Sequence, residues 1–473
     1  MASAFLDAAR TICGGTEYAI DGALIEPRYL EPARYAPGCA AALVRPGTTE
    51  QIAELVKLAA AQGLTIVPQG AHTGLVRGAT PTDAGRHVLL ATDRLRGRFE
   101  FDPLDRTLVV SAGYKLSEIN ARLEEHGLFF PIDLSADPSV GGMLAHNTGG
   151  TRMLRYGDVR ANTLALTAVL ADGEVVHAGR GLQKDNAGLA LQHLFIGSTG
   201  SLGVITEATL KLHPLPRQRA ATLVAPSSLN DVFPLYQRVM QSELAGLVSA
   251  FEGISKPALE AAQQHRSRHG NVRPLFDGGA PEYALLIELS SELSQARLDL
   301  EALLQQLLEQ EFETGRVADA VIGADHDVWE ARHSISEGLR EHGKVIGFDL
   351  SLPRKHFMRF RAEGAAWLAA HFPQARVADF GHLGDGGLHF NLVWPHDAPA
   401  LDAEAMERLR AGVNEIAVRL GGSFSAEHGV GPQIQQAYWQ LGDPASLQLS
   451  GRIEGVMNPD GVLGLTRFGP RPV

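Results

Sequence analysis

Three glycine-punctuated loops in the first half of the chain constrain its fold more than any other feature. They are Pro68-Gln69-Gly70-Ala71-His72-Thr73-Gly74-Leu75-Val76-Arg77-Gly78, Gly141-Gly142-Met143-Leu144-Ala145-His146-Asn147-Thr148-Gly149-Gly150 and Gly197-Ser198-Thr199-Gly200-Ser201-Leu202-Gly203. Without Cβ atoms, successive backbone N–H groups can turn toward one anion, so loops of this character suit a phosphate or pyrophosphate. One such loop is usually only a turn; the signal lies in the combination. None of the three sets Gly-x-Gly-x-x-Gly between the strand and helix of a βαβ unit, and no Gly-Lys-Ser/Thr phosphate loop occurs. A dinucleotide fold of the nicotinamide type is disfavoured.

The segments between the loops read as mixed α and β. Thr48 to Gly63 has the signature of a capped helix: Thr48 and Gln51 at capping-box spacing, Ile52, Leu55, Val56 and Ala59 on one stripe, and Gly63 at the stop. Asp172-Gly173 between Leu164–Leu170 and Val175–Ala178 signals a hairpin. After the breaker His213-Pro214-Leu215-Pro216 the rhythm becomes strand, helix, strand, helix, as expected of helices on an antiparallel sheet. A strand is expected at Val345 to Leu350. Three segments follow: residues 1–217, a second domain at 218–420, and a tail at 421–473 too short to bury its own core, which must dock elsewhere.

A formal charge of −12 and the lack of a Lys/Arg cluster argue against nucleic-acid binding. No run of 18 apolar residues and no signal-like N-terminus is present, which predicts a cytoplasmic protein without an integral membrane segment. Cys13 and Cys39 fit no disulfide framework or paired metal motif.

The stretch Gly381-His382-Leu383-Gly384-Asp385-Gly386-Gly387-Leu388-His389-Phe390-Asn391 carries the strongest chemical signal in the second half. If Asp385-Gly386 are the central residues of a type I′ turn, His382 and His389 oppose each other with Cβ atoms ~5 Å apart, and Asn391 follows on the same face. Both rings could then reach one divalent ion. An isolated pair of this spacing is more often a plain hairpin; Glu427-His428-Gly429 further on adds a carboxylate and a third imidazole. Arg332 and Ser336 stand at i and i+4 on an expected helix, where a guanidinium can grip a carboxylate, a solvated arginine being the ordinary alternative.

These segments, taken in order with Gln69–Leu75, Asn147–Gly157, Leu194–Thr206, Gly381–Asn391 and Glu427–Gly429, resemble the FAD-linked D-2-hydroxyacid dehydrogenases, the D-2-hydroxyglutarate and D-lactate dehydrogenase branch of the vanillyl-alcohol oxidase type. The resemblance spans about residues 30 to 468. It implies an α+β fold: a two-subdomain FAD-binding domain, an antiparallel-sheet cap domain, and a C-terminal tail returning to the FAD domain. It implies that Gly70, Thr73, Gly74, Leu75, Ser139, Gly142, Asn147, Gly149, Gly150 and Ile205 contact FAD. His382, His389 and Glu427 match ligands of a divalent metal, zinc by preference or manganese, His428 matches the base near flavin N5, and Arg332 and Asn391 match substrate-binding positions. Adjacent Glu427 and His428 cannot share one face of a strand, which suits two different roles.

The resemblance further implies a small 2-hydroxyacid substrate and a separate electron acceptor, such as an electron-transfer flavoprotein or a quinone; a homodimer is compatible with it. Two departures stand out. Gly347 occupies the position of a lysine that contacts substrate in D-2-hydroxyglutarate dehydrogenases, and Lys344, an odd number of residues away on a regular strand, would face the other way. His72 replaces an expected asparagine in the pyrophosphate loop, one residue before the histidine that carries FAD covalently in some relatives, so non-covalent FAD is expected. Two other readings use the same residues: an oxidase passing electrons to oxygen, and a metal-dependent hydrolase without redox chemistry.

Overall fold

The computed structural model describes residues 2–32, 35–270, 274–323 and 325–470. The chain forms two compact units, one of Met1–Gly150, Gly157–Leu215 and Glu427–Val473, the other of Thr151–Tyr156 and Pro216–Ala426.

The first unit contains two main sheets. One runs in the order Ala19–Asp21, Cys39–Val44, Thr82–Ala91, Thr65–Gln69; the other in the order Phe99–Asp102, Thr107–Ser111, Val204–Lys211, Thr163–Val169, Val175–Ala178. Cys39–Val44 and Thr65–Gln69 both pair parallel with Thr82–Ala91, which requires a crossover between them, and helix Thr49–Ala61 supplies it. The helix starts as its sequence dictates. Thr48 accepts from the Gln51 amide and Gln51 reaches back to the Gly47 amide at 2.7 Å, while Ile52, Leu55, Val56 and Ala59 are fully buried. Each of the larger three contributes ~1.5–3 kcal/mol by leaving water. The expected hairpin forms, with Gly173 at φ 79°.

The tail docks on this first unit, as the resemblance implies. Val462 and Leu463 enter its core beside Ile66, whose amide donates to Val462 O at 2.7 Å, and the buried Asn458 amide donates to Ser201 O at 2.9 Å.

The second unit is built on a seven-stranded sheet in the order Val317–Val321, Gln218–Pro226, Tyr283–Ser291, Val248–Ser255, Phe380–Gly381, Gly387–His389, Asp349–Ser351. All its pairs are antiparallel. Tyr283, Leu285, Ile287 and Leu289 face helices Val232–Met240 and Leu300–Glu313, while Ala284 and Leu286 face helices Lys256–His269 and Asp325–His342. Strand Val248–Ser255, buried along its whole length, is absent from the sequence reading because a strand covered on both faces shows no alternation.

The single strand expected at Val345 to Leu350 is two. Gly343–Ile346 pairs with Leu392–Pro395 in a separate small sheet, and Asp349–Ser351 joins the main sheet. The chain changes sheets at Gly347-Phe348, so face parity cannot be counted through Gly347. Lys344 is exposed and opposite Trp394. Among the described residues no helix is long and apolar enough to cross a membrane.

Candidate active site

In the first unit the three glycine loops converge. A Cβ on Gly70 would lie 1.9 Å from Ser139 Oγ, so the first loop lies directly on the start of helix Val140–His146, where Ser139 accepts from the Gly142 amide at 3.2 Å. The third loop closes on the end of that helix: the Gly197 and Thr199 amides donate to Leu144 O and Ala145 O at 3.0 and 2.8 Å. Asn147 ends the helix at φ 50°, a left-handed conformation that asparagine tolerates. Its side chain donates to Asp158 at 2.8 Å and accepts from the Arg160 amide at 2.9 Å. Ser139 and Asn147 therefore shape the loops with their side chains. Gly149, Gly150 and Ile205 are buried, Thr73 and Leu75 half-buried, and Gly74 exposed.

His72 hydrogen-bonds through both ring nitrogens, to Arg28 O at 3.3 Å and Thr80 Oγ1 at 3.0 Å, and burial pushes its pKa down. The tail also reaches the second loop. Glu427 Oε2 accepts from the Gly150 amide at 3.1 Å, and His146 Nδ1 lies 3.2 Å from His428 O. Glu427 and His428 stand in a bend, not a strand, so strand parity does not separate their side chains.

In the second unit the expected hairpin forms in a different register. His389 pairs with Phe380, not His382, and the Gly386 and Gly387 amides both donate to His382 O, at 3.1 and 2.9 Å. The ladder stops at Gly381, whose φ is 144°, and Asp385 Oδ1 accepts from the Gly387 amide at 2.8 Å, widening the loop beyond a two-residue turn. Gly386, at φ 95°, has no room for a side chain: a Cβ would lie 2.4 Å from Leu352 O. His382 thus sits at the base of the loop. The two imidazoles nevertheless meet, ring centres 5.2 Å apart and nearly perpendicular.

Asn391 is buried, but the chain turns between it and His389: the Asn391 amide donates to His389 O, and Asn391 O accepts from Ala378. It does not simply continue one strand face. Arg332 and Ser336 lie on helix Asp325–His342 as expected, and Arg332 is buried, not solvated. Its Nε donates to Glu252 Oε2 at 2.6 Å, and its guanidinium carbon lies 4.6 Å from the Phe380 ring centre. Glu252 Oε1 lies 2.5 Å from His382 Nδ1. Burial raises the Glu252 pKa, but Arg332 and His382 outweigh it and hold the carboxyl at about 2.

Comparison with known proteins sets these halves in a family. Residues 40–179 match the FAD binding domain and residues 215–464 the C-terminal domain of FAD linked oxidases. The chain belongs to the FAD-linked oxidase family. Within it, the mitochondrial D-2-hydroxyglutarate dehydrogenase of Bos taurus is 32% identical over 93% of this chain and 78% of its own length. The D-2-hydroxyglutarate dehydrogenase of Xanthomonas citri pathovar viticola is 32% identical over 88% of this chain and 87% of its own. In structure, p-cresol methylhydroxylase with bound substrate superposes with a TM-score of 0.72 at 16% identity, covering 99% of this chain and 96% of that one. Alkyldihydroxyacetonephosphate synthase gives 0.65 at 16% identity, covering 92% and 77%. The vanillyl-alcohol oxidase type of fold is thereby established for this FAD-linked oxidoreductase.

The first unit fits the cofactor of the family. Gly70 and Gly142 bring bare backbone together beside Ser139, where a side chain on Gly70 would block it, the condition for close approach to a pyrophosphate. Two residues of the second unit escaped the sequence reading. Glu252 is a lone carboxylate in the apolar run Val248–Ser255, a signal in itself, because a charge in such a run must find partners. Asp349, also buried, is the cross-strand partner of His389 and accepts from the amide of Ala426, the residue before Glu427, at 3.1 Å. Nothing in its local sequence marks it.

Proposed function

We propose that this chain is a metal-assisted, FAD-dependent dehydrogenase that oxidises a D-2-hydroxyacid to the 2-oxoacid and passes the electrons to a separate acceptor. The observation that carries the reading is the meeting of His382 and His389, rings 5.2 Å apart, with the carboxylate of Glu252 on Nδ1 of the first. Imidazoles paired in this way, one held by a carboxylate, suit a divalent-metal site. His382, His389 and Glu427 would hold the ion, zinc by preference. When bound, such an ion would supply Lewis-acid chemistry at the substrate hydroxyl, and FAD would supply the acceptor for the hydride from Cα.

The remaining work falls to the chain. His428 accepts the hydroxyl proton as the general base. Arg332 and Asn391 orient the substrate carboxylate and hydroxyl, with Ser336 one helical turn from Arg332. Gly70, Thr73, Gly74, Leu75, Ser139, Gly142, Asn147, Gly149, Gly150 and Ile205 hold FAD, non-covalently, since both ring nitrogens of His72 already have hydrogen-bond partners. The D-2-hydroxyglutarate dehydrogenase relatives point to the substrate class; Gly347 argues for an acid with one carboxylate, shorter, more apolar or bulkier than 2-hydroxyglutarate. An electron-transfer flavoprotein or a quinone would be the acceptor.

Anaerobic mixing of the FAD-loaded protein with D- and L-forms of lactate, malate, 2-hydroxyglutarate and bulkier 2-hydroxyacids tests the reading. D-acids should bleach the flavin and L-acids should not. A protein that takes up no flavin, or whose flavin no D-acid bleaches, contradicts it; rapid reoxidation by air would identify an oxidase instead.

A further inference from the structure

Glu252 stands in strand Val248–Ser255 beside Gly253, whose cross-strand partner is Gly381, the residue before His382. The side chain is wholly buried, and each oxygen meets a different residue: Oε1 His382 Nδ1 at 2.5 Å, Oε2 Arg332 Nε at 2.6 Å. The sheet fixes where the carboxylate stands; the carboxylate then fixes a loop residue and a helix residue that come from different parts of the chain.

We propose that Glu252 is the positioning residue of the substrate half of the site, setting the tautomer and ring plane of His382 and the direction of the Arg332 guanidinium with one carboxylate. This rests on the reading of His382 as a metal ligand and Arg332 as a carboxylate binder. With Nδ1–H donating to Glu252, the lone pair of His382 lies on Nε2, the atom that must face the ion. Arg332 spends its Nε edge on Glu252, which leaves Nη1 and Nη2 as the edge that matches a substrate carboxylate.

The neighbouring strand provides an internal control. Glu288, equally buried on the same face of the sheet, binds Ser249, Arg152 and the Trp329 indole at 2.6, 3.2 and 3.0 Å and touches none of the residues assigned to metal or substrate. Removing its charge therefore measures the cost of a broken buried network alone. In Glu252→Gln the side chain keeps one acceptor oxygen but turns an NH2 donor toward a second donor. It can keep the Nδ1–H tautomer of His382 or the contact with Arg332, not both.

The test compares wild type, Glu252→Gln and Glu288→Gln by Zn2+ affinity in chelator competition, by KM and kcat for the best D-2-hydroxyacid, and by melting temperature. Glu252→Gln should weaken Zn2+ binding ~10–100-fold and raise KM, while Glu288→Gln, at a similar loss in melting temperature, should leave both unchanged. Equal effects in the two variants, or unchanged Zn2+ affinity and KM in Glu252→Gln, overturn the proposal. If Glu252→Gln does not fold, the double variant Glu252→Gln/Arg332→Met removes the competing donor. It should regain folding and Zn2+ affinity but not KM; continued loss of Zn2+ affinity in the folded double variant counts against the proposal. Wild-type protein that neither binds Zn2+ nor oxidises a D-acid would refute the underlying reading, whereas a competent wild type with an indifferent Glu252→Gln refutes only this inference.

Discussion

The backbone amide of Gly150 donates to Glu427 Oε2 at 3.1 Å, across 277 residues of sequence. The second glycine loop, proposed to contact FAD, thereby holds the carboxylate proposed as a metal ligand. Gly150 has no alternative residue: at φ 108° a Cβ would lie 2.5 Å from Asp133 O. Gly150→Ala should cost about 1–3 kcal/mol and release both FAD and metal. Flavin absorbance relative to protein after gel filtration, with metal analysis of the same fractions, checks this; full occupancy of both would disprove the coupling.

The two imidazoles and the base should separate by phenotype. His382→Ala and His389→Ala should each lose bound metal on dialysis and slow flavin reduction. His428→Ala should keep FAD and metal yet reduce its flavin about 10²–10⁴-fold more slowly, the range for losing a positioned base. Stopped-flow reduction beside metal analysis distinguishes them. Unchanged metal content in both alanine variants would remove His382 and His389 from the site.

Stability should fall in acid through Glu252. Its folded pKa of about 2 lies below the 4.5 of an ordinary glutamate, so the stabilisation is complete above about 4.5 and is lost as pH drops toward 2. A depression of this size corresponds to about 3 kcal/mol. Arg332→Ala should remove it at neutral pH as well, at about 3–5 kcal/mol, because the carboxylate stays buried with less compensation. Urea unfolding of wild type and Arg332→Ala between pH 2 and 7 provides the check, and an equal acid slope in both would refute it.

Substrate choice should respond at position 347. Gly347→Lys introduces a cation at the position that the resemblance matches to a substrate-contacting lysine, and should raise kcat/KM for 2-hydroxyglutarate relative to a monocarboxylate. Steady-state rates with both acids decide the point. An unchanged ratio would mean that the break between strands Gly343–Ile346 and Asp349–Ser351 points position 347 elsewhere.

Much of the fold was legible in the sequence because its signals are local. The capped helix behind Thr48, the hairpin at Asp172-Gly173 and the three glycine loops follow from spacing, cap and turn chemistry within a few residues. Strand Val248–Ser255 was not legible, since burial on both faces erases alternation. The site divides the same way. His382, His389, Glu427 and His428 stand out by residue type, while Glu252 and Asp349 gain meaning only from partners far along the chain.

The sequence by itself determined which side chains could do the chemistry and where glycine loops would leave backbone bare. Tertiary structure decided the register that brings the imidazoles together. It set His389 opposite Phe380 and closed the loop on the His382 carbonyl, because Gly381 stops the ladder and the Asp385 side chain bonds to the Gly387 amide. It also placed Arg332 on Glu252: a buried charge must be met by another, and only the packing of helix Asp325–His342 against the sheet determines which one is within reach.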